Sequence, residues 1–164
     1  MAVLFKLLKQ KWFAHSGPTI PLEDRIVIVT GSTTGRRFEA AVILSAVGAS
    51  KLILGVCSLD RSHEAKSAIE AHTHQLNQIE LWSLDMDLHG SIQQFAAQAS
   101  KDLGRLDIVI LNVAIPHEWE ETLQANSLST TILGLLLWLK LRASKIAENT
   151  PVLEMYKLGT GLIS

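Results

Sequence analysis

Cysteine is nearly absent from this chain: Cys57 is the only one in 164 residues. A single thiol cannot close an internal disulfide, so the expectation is a reducing, intracellular and cytoplasmic setting. A surplus of one charge is missing too, since 15 Lys+Arg stand against 16 Asp+Glu, for a net charge of −1. With no Lys/Arg-rich stripe to neutralise phosphates, nucleic acid is not an expected partner. The sequence also has no apolar run of membrane-spanning length. Residues 132–139 are intensely apolar, but Lys140 and Arg142 close the run, well short of the roughly 20 residues a bilayer span needs. It reads as a buried helix. Near the start, Leu4, Phe5, Leu7, Leu8, Trp12 and Phe13 are interrupted by Lys6, Lys9 and Lys11, which breaks up any signal-peptide core. Residues 1–20 therefore read as an amphipathic helix and linker. That helix either packs on its own domain or makes weak contact with a membrane surface. Internal repeats and low-complexity linkers are lacking as well.

What is present is an apolar content of 48% with 19% charged residues, a composition for one packed domain. Short β-branched runs alternate with longer helical patterns, the mark of βαβ units on a parallel sheet. Residues 25–30 (RIVIVT) form an almost unbroken apolar strand, as a strand buried on both faces requires. A Gly/Ser/Thr turn follows, then a helix through Phe38, Ala41, Val42, Leu44 and Ser45 that ends at Gly48. Residues 51–56 (KLILGV) are the second strand. Residues 62–72 are helical, with Ser62 as N-cap. Residues 79–84 alternate as a third strand. In the helix over 89–103, Ile92, Phe95, Ala96 and Ala99 share one face and Gly104 is the stop. Residues 106–112 (LDIVILN) are the fourth strand, and a long helix covers about 120–145. Pro151, Val152 and Leu153 could open a fifth strand, but Glu154, Met155, Tyr156 and Lys157 break its apolar run. Residues 154–164 are thus expected to be an irregular tail behind a main domain over 21–153.

The turn Thr30-Gly31-Ser32-Thr33-Thr34-Gly35 leaves a strand and opens a helix. Glycine lets the backbone bend sharply and approach a pyrophosphate closely. Free N–H groups and the positive end of the helix macrodipole then favour an anion. This turn resembles the Thr-Gly-x-x-x-Gly-x-Gly motif of the short-chain dehydrogenases/reductases. Leu84-Asp85-Met86 resembles that family's Asp after the third strand, and Asn112-Val113-Ala114 its Asn-Ala-Gly motif closing the fourth. Residues 119–126 (WEETLQAN) resemble the start of the helix whose Asn joins the catalytic tetrad. The resemblance runs over about 25–153, and its flavour is the fungal, retinol-dehydrogenase-like branch that often serves secondary metabolism.

The resemblance implies an α/β Rossmann fold with parallel strand order 3-2-1-4 and helices on both faces, incomplete because the later strands are missing. Strand four would then be an open edge. It further implies Gly31, Ser32, Thr33, Gly35, Arg36, Asp85 and Asn112 as cofactor-binding residues and Asn126 as the catalytic one. The family's third glycine falls at Arg37, where a guanidinium either swings outward or crowds the pyrophosphate; Arg36 and Arg37 could instead attract phosphate. Val56-Cys57-Ser58 offers no acid for a ribose diol, and Arg61 is the nearest cation, which favours NADP over NAD. The family's Tyr-x-x-x-Lys is not found, because Lys157 follows Tyr156 at once and Thr160 stands four residues on. The chain is therefore expected to stop before the catalytic pair and to lack an acid/base for carbonyl reduction.

Two functional readings follow. The first is an NADP-dependent oxidoreductase acting on a small carbonyl or alcohol, such as one that tailors a secondary metabolite, and weak or inactive as this chain. The other is a catalytically dead nucleotide-binding or dimerisation module, homo- or heterodimeric through the 120–145 helix, or a truncated gene product. His72 and His74 have a spacing that could serve a metal but read as a solvated loop. His15, His63, His89 and His117 read as surface residues, and Cys57 as a small buried hydrophobe.

Overall fold

The computed structural model describes residues 22–31, 35–75, 78–112, 123–148 and 154–157. The amino-terminal helix expected over 1–20 lies outside them. Strand β1 (Ile26–Thr30) leads to helix α1 (Gly35–Ala46), β2 (Lys51–Val56), α2 (Leu59–Thr73), β3 (Ile79–Ser83), α3 (His89–Asp102) and β4 (Ile108–Leu111). A π-helical turn (Gln124–Ser129) then runs straight into α4 (Thr130–Glu148), and β5 (Glu154–Lys157) closes the described chain.

The strands form one parallel sheet in the order β3-β2-β1-β4-β5. Successive side chains of a strand point to opposite faces, and here both faces are covered. Val27, Val29, Leu52, Leu54 and Val56 pack with Ala41 and Leu44 of α1 and Ile69 of α2. Ile28, Ile53, Trp82 and Val109 pack instead with Ile92, Phe95 and Ala99 of α3 and with Leu133, Leu137 and Leu141 of α4. That is why β1, β2 and β4 read as continuous apolar runs rather than as alternating ones. The expected order 3-2-1-4 is present, with helices on both faces.

Three expectations need correction. Residues 154–157 are not an irregular tail: they pair with β4 from Ile108↔Glu154 to Leu111↔Lys157. β4 is therefore an inner strand, not the open edge. An edge strand carries a ladder on one side only and tolerates charged residues, so the loss of apolar pattern at Glu154 and Lys157 did not preclude a strand. Helix α2 begins earlier than expected, with Ser58 at its N-cap position. Ser62 is buried in the helix and its hydroxyl donates to the Ser58 carbonyl at 2.6 Å. The long helix, finally, is α-helical only from Thr130, because the preceding six residues are wound more widely.

The amino edge of the sheet is tied by Asp107. Its Oδ1 accepts from Arg25 Nη1 at 2.9 Å, and its Oδ2 accepts from Arg105 Nε and the Ile26 N–H, both at 2.9 Å. Nearby, Ser144 Oγ accepts the Leu106 N–H at 3.0 Å. The far end of α4 is thus anchored where β4 begins, so the start of the same helix lies at the opposite, carboxyl edge.

Candidate functional site

After β1 the chain goes outward to β2 and β3, then returns to place β4 on the other side of β1. Connections from β1 and β4 therefore diverge, and the crevice at their carboxyl ends is the topological switch point where ligands bind in open α/β sheets. Gly31 sits there with φ 67°, a left-handed conformation that glycine adopts without a Cβ penalty. Its N–H donates to the Gly55 carbonyl at 3.1 Å, which fixes the turn to the neighbouring strand. Gly35 opens α1, so the N-terminus of that helix and its partial positive charge lie at the same edge. Arg36 is in the first turn of α1. Ser32 and Thr33 lie outside the described residues.

Asn112, just past β4, is buried, and its N–H donates to Thr30 Oγ1 at 3.1 Å. The ends of β1 and β4 are thereby locked together. Asp85, just past β3, is half-buried. Its N–H donates to Ser91 Oγ, and its Oδ1 accepts the Asp87 N–H, each at 2.9 Å. The carboxylate thus shapes its own turn. Asn126 lies in the π-helical turn and is half-buried. Gln124 Nε2 of that turn donates to the Asp87 carbonyl at 3.4 Å, joining the start of the long helix to the β3–α3 loop. Gly31, Gly35, Asp85 and Asn112 are thus brought to one edge, with Asn126 in the element that borders it.

Cys57 departs from expectation: it is exposed, not buried. β2 ends at Val56, so the next residue stands beyond the sheet at the carboxyl edge. No carboxylate occupies positions 56–58, and Asp60, in the first turn of α2, is the nearest acid in sequence. Arg61 belongs to the same turn. His72 Nδ1 is 2.8 Å from the Ala68 carbonyl, while His74 ends α2 at φ 55°. Among the described residues no group of three His, Cys, Asp or Glu could hold a metal ion, and no helix is long and apolar enough to cross a membrane.

Sequence reasoning overlooked Gly55. A Cβ there would stand 2.9 Å from Leu84 Cδ2 and 3.3 Å from both Phe95 Cε2 and Thr30 Cγ2. The signal was available, since glycine inside an apolar strand marks a close approach. Gln124 gave no comparable signal.

The family model described as short chain dehydrogenase matches residues 25–141. A short-chain dehydrogenase/reductase of Aspergillus flavipes is 38% identical over 153 residues, covering 85% of this chain and 45% of that protein. The chain spans just under half the length of the curated relatives it matches first. A short chain dehydrogenase from Shigella flexneri 2a str. 301, solved in complex with NADP, is 27% identical with a TM-score of 0.65, over 73% of this chain and 54% of that one. A counterpart from Escherichia coli CFT073, complexed with NADPH, is 26% identical with a TM-score of 0.65, over 75% of this chain and 56% of that one.

Proposed function

Because this chain belongs to the short-chain dehydrogenase family, we propose that it forms the nucleotide-binding part of an NADP-dependent oxidoreductase. The observation that carries the reading is the meeting of Gly31, Gly35, Asp85 and Asn112 at the switch point between β1 and β4. The residues fit a dinucleotide. The left-handed Gly31 and the N-terminus of α1 lie at one edge, and the free N–H groups and positive dipole end of a helix N-terminus suit a pyrophosphate. Gly31, Ser32, Thr33, Gly35 and Arg36 hold that group, Asp85 meets the adenine, and Asn112 lines the adenosine half. Asn126 belongs to the reaction end.

The absence of a carboxylate at positions 56–58 favours NADP over NAD, because nothing there competes with a 2′-phosphate for space or charge. NADP and NADPH in the two solved relatives support the same preference. The bound cofactor would supply or accept the hydride of a carbonyl–alcohol interconversion. No described side chain is assigned the proton transfer, since Tyr156 and Lys157 are adjacent in β5 and not one helical turn apart. In this reading the stretch binds nucleotide, and turnover of a small carbonyl or alcohol, such as a secondary metabolite, is weak or absent.

Calorimetric titration with NADPH and NADH tests it. A micromolar Kd for NADPH, roughly −8 kcal/mol, and weaker NADH binding are expected. A folded protein that binds neither would overturn the reading and leave Arg37 as the first suspect.

A second reading rests on a separate observation. Leu128, Leu135 and Leu139 are 59%, 65% and 68% exposed, and their spacing puts them on one side of the long helix. We propose that this face joins two chains, through this helix, into a dimer.

A further inference from the structure

The core-facing residues of α4 are Leu133, Leu137 and Leu141, all fully buried. Carried back at α-helical spacing, their stripe passes through position 130 and reaches position 126. A straight helix would therefore drive the Asn126 amide into the apolar core. The structure does otherwise. Ala125 is the fully buried residue and Asn126 is half-buried, because the turn from Gln124 to Ser129 is π-helical. The wider turn absorbs one extra residue, worth about 100° around the axis, between the core stripe and Asn126.

Such turns are rare, occur mostly as single-turn insertions within α-helices, and are frequent at functional sites. Here a side chain supports it. The Thr130 backbone N–H bonds the Ser127 carbonyl. The Thr130 hydroxyl, itself buried, donates to the Ala125 carbonyl five residues back at 2.9 Å. That is the carbonyl a π-helical N–H at position 130 would have taken. Thr131 Oγ1 donates to the Ser127 carbonyl at 2.7 Å, bracing the same turn from outside.

We propose that Thr130 is a positioning residue: its buried hydroxyl holds the π-helical turn in register, and so keeps Ala125 in the core and Asn126 beside the cofactor crevice. This deepens the oxidoreductase reading, on which the role of Asn126 rests, but the register of the helix can be tested without nucleotide.

The test compares Thr130→Val, which keeps the shape and removes the hydroxyl, with Thr130→Ser, which keeps the hydroxyl. Nitrogen-15 NMR reads the Asn126 side-chain amide and the backbone exchange of residues 124–129. The valine variant is expected to move the Asn126 amide signals and to raise exchange across the turn on the order of tenfold. The serine variant is expected to match the wild type in both. Unchanged signals and exchange in the valine variant would overturn the proposal. Deleting Leu128 supplies an independent check. Without the extra residue the helix runs straight with Ala125 on its core stripe, so the hydroxyl becomes dispensable. Thr130→Val should then add nothing to the deletion, and a further shift of Asn126 would refute the assignment. If wild-type protein fails to bind NADPH while these shifts occur, the nucleotide reading falls and the helix register stands.

Discussion

Gly55 shows how tightly the carboxyl edge is set by single atoms. Its carbonyl holds the Gly31 N–H, and its missing Cβ leaves room for Leu84, Phe95 and Thr30. A methyl group would have to displace buried side chains in a close-packed interior, where overpacking costs about 1–3 kcal/mol. Gly55→Ala is accordingly expected to cost that much unfolding free energy, read as a lower urea midpoint with an unchanged denaturant slope. It should also weaken nucleotide binding by moving the turn at Gly31. An unaltered midpoint would show that Leu84 and Phe95 have slack to give. At this scale the family resemblance pointed to Gly31, Gly35, Asp85, Asn112 and Asn126, and the fold brings the first four to one edge of the sheet. The sequence misjudged Cys57, whose side of the strand end is decided by where β2 stops.

Among the elements, β2 and β3 are joined by a polar link. Lys51 Nζ donates to Glu80 Oε1 at 2.7 Å, and Trp82 Nε1 donates to Glu80 Oε2 at 3.1 Å. Trp82 in turn sits edge-on to Phe95, with ring centroids 5.6 Å apart. The hydrogen bond from Lys51, aided by that from Trp82, outweighs partial burial and holds the Glu80 carboxyl below its ordinary pKa. A depressed carboxyl stabilises the folded state above its unfolded pKa, and the contribution is lost as the pH falls through the folded one. Both side chains of the ion pair are well exposed, so the effect is small. Glu80→Gln should therefore cost a little stability near neutral pH and almost none at about pH 3, as read from urea midpoints at the two pH values. An equal loss at both would point to packing rather than charge.

The elements also differ in how far their patterns could be read. β1, β2 and α3 follow directly from apolar periodicity because they are buried on two faces or along one stripe. β5 was missed because its membership of the sheet depends on backbone pairing with β4, which leaves little mark on side chains. The π-helical turn was missed for a related reason. Its width depends on the fixed position of Leu133, Leu137 and Leu141 against the sheet, a constraint that local sequence does not carry.

For the whole molecule, the open question is what covers the long helix. Leu128, Leu135 and Leu139 remain exposed although the opposite stripe is fully buried. If the face joins two chains, sedimentation velocity will show a concentration-dependent dimer. Leu135→Lys with Leu139→Lys is then expected to give a monomer with nearly unchanged thermal stability, since both residues already face solvent. A wild-type monomer at tens of micromolar, about the range where modest interfaces assemble, would remove that reading.

The sequence by itself determined the fold class, the strand order implied by its motifs and the identity of the turn that leaves β1. The fold class and the turn follow from local periodicity and from residues within a few positions of one another, whereas the strand order came with the family that the motifs resemble. Only the tertiary structure decided that Thr30 and Asn112 lock two strand ends together, which side chains Gly55 makes room for, and that Ala125 rather than Asn126 enters the core. Those outcomes depend on groups far apart in the chain competing for the same space and the same hydrogen bonds, and that competition is settled only when the sheet and its helices are packed.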